Sequence, residues 1–315
     1  MNPSPRQYLK DAELDRQLSE KGFVVMDFLG TEEVAALTKT FNDSHTEETV
    51  PFYATAHHQN TDFRKKMSAA ISEKLQPHFD KTFENCNLLG ASFIVKSKSE
   101  QSLLQPHQDW NIVDETKFRS FNIWIPLVDL NENNGAIEIL PKSHNWLRGY
   151  RHSSINCAYS NVHHLVWENM KPPYLKAGQA LIYGHALLHA SKANTSDQKR
   201  IALASGIIPS EAQMYFYWNN NGTVEQYESN TAFFMTENIF EGPGPLKKIG
   251  NMTYDFPSVN EAQFCRLAEI EPPQETPNIE KTEPAQNEET PLSFWEIYTP
   301  LNIAKEIGSR FRLGK

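Results

Sequence analysis

Short apolar runs, each ended by turn residues, constrain the fold of this chain most. Ser120-Phe-Asn-Ile-Trp-Ile-Pro-Leu-Val-Asp129 has the β-branched and aromatic content of a strand, and Asn133-Asn134-Gly135 is a turn signal leading into a second strand, Ala136 to Leu140. Pro141-Lys-Ser-His144 closes that hairpin. Gly178-Gln-Ala-Leu-Ile-Tyr183 reads as another strand, and Arg200 to Ile208, apolar along nearly its whole length, as a last one. Near the start, Gly22 separates a polar stretch of helical tendency, residues 1–20, from a strand at Phe23 to Phe28. Thr31 then reads as an N-cap, and Val34, Leu37 and Phe41 fall on one face of the helix it opens. These elements predict a mainly β fold with flanking helices, a sandwich or barrel of short strands.

His107-Gln108-Asp109 is the chemically informative stretch. Successive side chains on a strand alternate faces, so His107 and Asp109 would project together and grip one metal ion. If His189 supplies a third ligand from a facing strand, two imidazoles and one carboxylate suit non-haem Fe(II) and leave coordination positions open for chemistry. A His-x-Asp triplet alone is weak, because a chain with 11 histidines produces one readily by chance. His185 competes with His189, since four residues apart on a strand they share a face. The adjacent pairs His57-His58 and His163-His164 point to opposite faces and lack a carboxylate two places away, so they predict loop histidines.

The ordered motifs carry a resemblance. His107-x-Asp109, Trp124-Ile-Pro-Leu127, Asn134-Gly-Ala136, Leu140-Pro-x-Ser-His144, His189-x-Ser191, Asn194-Thr-Ser196 and Arg200 resemble the phytanoyl-CoA dioxygenase family of Fe(II)/2-oxoglutarate oxygenases, over about residues 15 to 212. The eleven positions from His189 to Arg200 match the family, and with Ser191 they select His189 over His185. Lys142 stands where the family usually has glycine. The resemblance implies a double-stranded β-helix core, jelly-roll and cupin-like. It implies Fe(II) held by His107, Asp109 and His189, dioxygen as oxidant, and 2-oxoglutarate as co-substrate, bound by Arg200 and Ser191 with Trp124 beside it. An arginine at the start of a buried strand also offers a planar fork suited to a remote carboxylate. The implied reaction converts 2-oxoglutarate to succinate and carbon dioxide and hydroxylates an unactivated C–H bond. Related halogenases lack the carboxylate ligand, so Asp109 favours hydroxylation. Trp110, Asn111, Asn122 and Arg148 are the candidate substrate contacts. Two other classes stay open: a zinc hydrolase built on the same triad, and a catalytically silent sandwich that only binds.

Composition limits the remaining choices. Of the net charge of −9, residues 269–289 carry −6 (seven Glu, one Lys) and residues 291–315 carry +2. No basic face for nucleic acid is left. Three widely spaced cysteines without a CxxC suit a reducing compartment, and no run approaches the ~20 apolar residues of a membrane span. The expectation is a cytoplasmic enzyme with a small-molecule substrate. A dioxygenase domain over residues 1–267, with core strands about 85–212, is followed by an acidic Pro/Glu-rich linker at 268–290. An amphipathic segment at 291–315 would dock on its own domain, a second copy or a pathway protein. The polar, aromatic stretch 145–176 shows no periodicity and is expected to form a loop or lid; residues 211–265 fit either further sheet or a substrate wall.

Overall fold

The computed structural model describes residues 6–45 and 50–272. Helix and strand alternate at first: α1 (Ala12–Lys21), β1 (Phe23–Asp27), α2 (Thr31–Ser44), β2 (Phe52–Ala54) and the long α3 (Thr61–Thr82). Strands then dominate, with β3 (Cys86–Lys96), β4 (Leu104–His107), β5 (Phe121–Pro126), β6 (Ile137–Ile139), the short helix α4 (His163–Asn169), β7 (Gln179–Gly184), β8 (His189–Ser191) and β9 (Arg200–Pro209). The described chain ends with β10 (Met214–Asn220), β11 (Thr223–Ser229), α5 (Thr231–Thr236), β12 (Lys247–Met252) and α6 (Glu261–Ala268).

Three antiparallel sheets result: a major sheet in the order β1-β7-β5-β9-β3-β2, a small one, β4-β8-β6, and a meander, β10-β11-β12. Alternation along β5 explains how the first two stack. Phe121, Ile123 and Ile125 face outward and pack with Leu18 of α1, Leu37 and Phe41 of α2 and Ile71, Leu75 and Phe79 of α3. Trp124 faces inward, where with Leu181, Tyr183 and Ala202 it meets Ile137 and Ile139 of the small sheet. The fold is therefore mainly β with flanking helices, a jelly roll whose sheets do not close into a barrel. The candidate metal ligands lie between its layers.

Several elements differ from expectation. Strands β5 and β6 form no hairpin, because the turn between them passes the chain from the major sheet to the small one. Asn134 fastens that crossover by donating to the Asp129 carbonyl at 2.9 Å. Gly135 permits it with φ +69°, where a Cβ would stand 2.8 Å from the Lys192 carbonyl. The cap expected at Thr31 lies one residue earlier: Gly30 precedes α2, and the Glu33 carboxylate accepts from its N–H at 2.8 Å. Residues 145–176 are only partly loop. Leu165 and Val166 of α4 join Tyr159 and Val162 in a core with Leu188 and Ala190 around His189 and with Phe264 and Cys265 of α6. Seven residues are too few for helical periodicity to stand out. Residues 211–265 resolve as the meander and two helices. Lys142 adopts the left-handed conformation, φ 68°, that glycine would take without strain, and its N–H donates to the Lys21 carbonyl. Most of the acidic linker and all of the C-terminal segment lie outside the described residues.

Candidate metal centre

His107 and His189 are direct register partners across β4 and β8. They sit on neighbouring strands of one sheet, whereas the sequence suggested facing strands. Residues opposite each other in an antiparallel pair share a face, and the two rings lie 4.2 Å apart between centroids. Asp109 falls beyond the end of β4, so strand alternation does not place it. Hydrogen bonds do: Asn122 Nδ2 donates to its Oδ2 at 2.7 Å, and Arg151 Nε donates to its backbone carbonyl at 2.7 Å. The potential ligand atoms of His107, Asp109 and His189 all fall within 4.8 Å of one another.

The imidazoles are oriented by their other nitrogens. Nδ1 of His107 lies 2.8 Å from the Gln105 carbonyl and Nδ1 of His189 lies 2.9 Å from the Leu187 carbonyl. A carbonyl only accepts, so each Nδ1 carries the proton and each Nε2 presents a lone pair to the site, the tautomer a metal needs. Burial, reinforced by neighbouring His189, pushes His107 down to about 3 and keeps it neutral. Burial favours protonated Asp109, but the three histidines around it and the Asn122 hydrogen bond outweigh that and hold its carboxyl below the usual range. Two imidazoles with their Nε2 atoms turned to the site, beside an ionised carboxylate, form a donor set suited to a divalent ion.

Beyond Ser191, two residues along β8 from His189, lie two buried basic side chains. Arg200 is only 2% exposed, and neither its Nε nor its Nη1 has a hydrogen-bond partner. Burial pulls its pKa down to about 9, with no acidic group offsetting it. Its guanidinium carbon lies 5.2 Å from the centroid of Trp124. Lys96, fully buried, stands opposite Arg200 in register; burial and then the charge of Arg200 push its pKa well below the usual lysine range. Lys96 Nζ donates to the carbonyls of Ser191 at 2.9 Å and Lys192 at 2.6 Å, while Ser191 is buried on β8 two residues from His189. Orphaned buried donors with no counter-anion are costly, and a carboxylate would satisfy them. The residues present thus fit a metal ion at the triad and a carboxylate at Arg200.

Other residues singled out in the sequence lie near the triad in varied settings. Asn122 touches Asp109, and Asn111 is buried with its Oδ1 accepting from the Arg151 N–H. Trp110 lies tilted against His152 and edge-on against Phe240, whereas Arg148 is exposed. His185 lies in the turn after β7, its Nδ1 2.9 Å from Ser120 Oγ. Sequence reasoning missed Lys96, Tyr183 and the Arg151–Glu115 pair. Tyr183 places its hydroxyl 3.5 Å from His189 Nε2, and Arg151 grips the Glu115 carboxylate with both Nη atoms at 2.5 and 2.8 Å. A lysine ending the apolar run Phe93-Ile-Val-Lys96 was the available signal.

A jelly roll with two histidines and one carboxylate converging between its sheets defines the class of Fe(II)/2-oxoglutarate-dependent oxygenases. Within that class, the chain belongs to the phytanoyl-CoA dioxygenase (PhyH) family, whose profile matches residues 18–202. Solved structures share the fold at low identity. The epimerase SnoN from nogalamycin biosynthesis, solved with Fe3+, alpha ketoglutarate and nogalamycin RO, is 19% identical at a TM-score of 0.50 over 79% of this chain and 99% of its own. EctD from S. alaskensis, in its apoform, is 16% identical at a TM-score of 0.46 over 68% of this chain and 82% of its own. No curated protein matches the chain in sequence. Among the described residues no helix is long and apolar enough to cross a membrane.

Proposed function

We propose that this protein is an Fe(II)- and 2-oxoglutarate-dependent dioxygenase that hydroxylates an unactivated C–H bond of a small organic substrate, with His107, Asp109 and His189 as iron ligands. The observation that carries the reading is the pairing of that triad with Arg200, a buried guanidinium whose Nε and Nη1 are unpartnered. A zinc hydrolase would need the triad but has no use for a desolvated, unpartnered arginine. A silent binding module would need neither. Iron bound there, with 2-oxoglutarate and dioxygen, supplies an oxidant strong enough for an aliphatic C–H bond while the co-substrate leaves as succinate and carbon dioxide.

The chain's own residues do the binding and orienting. The Gln105 and Leu187 carbonyls keep both Nε2 lone pairs turned to the metal position. Asn122 fixes the rotation of the Asp109 carboxylate, so the ligand set is ready before substrate arrives. Arg200, with Ser191, takes the far carboxylate of 2-oxoglutarate, and Lys96 anchors the Ser191 and Lys192 carbonyls beside it. Trp124 lies against Arg200 and keeps water from the pair. SnoN, built on the same fold, is an epimerase, so the outcome after C–H cleavage has to be read from product. Asp109 retains the carboxylate ligand, which supports oxygen transfer over halogenation.

The test is succinate release under Fe(II), 2-oxoglutarate and dioxygen, with candidate substrates and 18O2. His107→Ala, Asp109→Ala and His189→Ala should each lower turnover at least ~1,000-fold while leaving the thermal melt within a few degrees, and one 18O should enter the product. Hydrolysis of a substrate that persists without 2-oxoglutarate would replace this reading with the zinc one.

A further inference from the structure

A cavity of about 720 Å3 opens between β3, β9, β10 and the segment Thr231 to Glu241. Its size falls in the ~300–1,000 Å3 range of small-molecule sites. From this cavity we infer a substrate chamber, resting on the function just proposed, that takes an uncharged, largely apolar molecule and excludes an acyl-CoA.

Three observations tie the cavity to the metal centre. Gly206 of its wall stands directly opposite Asn122 in register, so the two share the inner face of the major sheet, and Asn122 is the residue that bonds Asp109. Because Gly206 carries no side chain, Leu89 fills the floor there, 3.2 Å from where a Cβ would sit. Ile112, three residues beyond Asp109, forms another part of the wall. Phe240 forms a third and meets Trp110, the neighbour of Asp109, edge to face at 5.6 Å. The cavity is thus one strand away from Asn122, the residue that bonds Asp109.

Its chemistry selects the occupant. Leu89, Ile112, Met214, Phe234, Met235 and Phe240 make most of the wall apolar, and the two thioethers adapt to ligand shape. Both terminal nitrogens of the arginine in the lining are already engaged, leaving only its buried Nε unpartnered: Arg64 Nη2 donates to Thr61 Oγ1 at 2.9 Å and to the Thr236 carbonyl at 3.0 Å, while Nη1 lies 3.5 Å from the Ala56 carbonyl and 3.4 Å from that of Glu237. Burial, with Arg64 nearby, pushes His57 down to about 4, so it is neutral at physiological pH. Glu237 and Glu241 place carboxylates along the segment that borders the cavity. Coenzyme A brings several phosphate charges, which these acids repel.

Nile red, a neutral dye that brightens in apolar surroundings, tests this with the full chain. Saturable binding is expected, weakened at least tenfold by Met235→Trp and by Ala56→Trp, each checked by its thermal melt. Decanol should displace the dye from the wild type at concentrations where decanoyl-CoA does not, and Glu237→Lys with Glu241→Lys should let decanoyl-CoA compete. Absence of saturable binding, unchanged affinity in both tryptophan variants, or equal competition by decanoyl-CoA in the wild type would overturn the inference. Iron and 2-oxoglutarate binding, titrated in the same samples, separates the two readings. Its failure sinks the proposed function, whereas intact iron binding without dye binding sinks the chamber alone.

Discussion

Lys96 and Arg200 face each other across β3 and β9, both buried; Lys96 donates to two carbonyls, whereas Nε and Nη1 of Arg200 have no partner. If Arg200 holds the 2-oxoglutarate carboxylate, its loss removes one partner of a desolvated charge pair, typically ~2–5 kcal/mol. Arg200→Ala should therefore raise the KM for 2-oxoglutarate at least ~30-fold with little change in affinity for the dye of the neighbouring cavity. Equal losses in both would show a collapsed sheet. His152 offers a second test. Burial among Trp110, Phe216 and Trp218 pushes it down to about 3 from an ordinary 6.5. The depressed pKa means the unfolded chain takes up a proton that the folded one refuses, so stability is full above pH 6.5 and falls as pH drops toward 3. The slope is up to ~1.4 kcal/mol per pH unit for each such group. His152→Phe should flatten the fall of Tm with acid even though it lowers Tm near neutrality, through the lost Ser154 hydrogen bonds. The clustering of His107, Asp109 and His189 was legible because the motifs that carry them recur in order along the chain. Lys96, Tyr183 and the Arg151–Glu115 pair were not, since each acquires its place only when distant strands meet.

At the scale of elements, alternation carried most of the information. The runs Phe121–Pro126, Gln179–Gly184 and Arg200–Pro209 form strands where apolar content predicted them. Partners are another matter: Asn133-Asn134-Gly135 signals a turn, yet a turn says nothing about whether the next strand returns to the same sheet. Ile137-Glu138-Ile139 is buried throughout, which suits the small sheet that is covered on both sides. The Lys142 turn shows how little one residue type decides. Its backbone takes the left-handed conformation despite the side chain, at a strain of ~1–2 kcal/mol partly offset because glycine would be freer when unfolded. Lys142→Gly should stabilise the protein by ~0.5–1 kcal/mol, a rise of a few degrees in Tm, with turnover unchanged. A fall in Tm would mean that the lysine side chain contributes contacts outweighing the strain.

For the whole molecule, six packed clusters among the described residues share the load, and the one around His189 is the least visible in sequence. It joins residues far apart in the chain: Leu188 and Ala190 flank His189, and Phe264 and Cys265 of α6 close over them with Val166. Phe264→Ala should cost ~3–5 kcal/mol and, unlike a change in the helices behind the major sheet, should also weaken iron binding, which metal titration of the folded variant would detect. A loss of stability with metal affinity intact would separate α6 from the centre. The profile shared with the family ends at residue 202, before α6 begins. A nascent chain therefore carries every residue of its triad and Arg200 well before the helix that supports His189 has been synthesised. A chain truncated before α6 should accordingly bind iron more weakly than the full chain, which metal titration of the two would check.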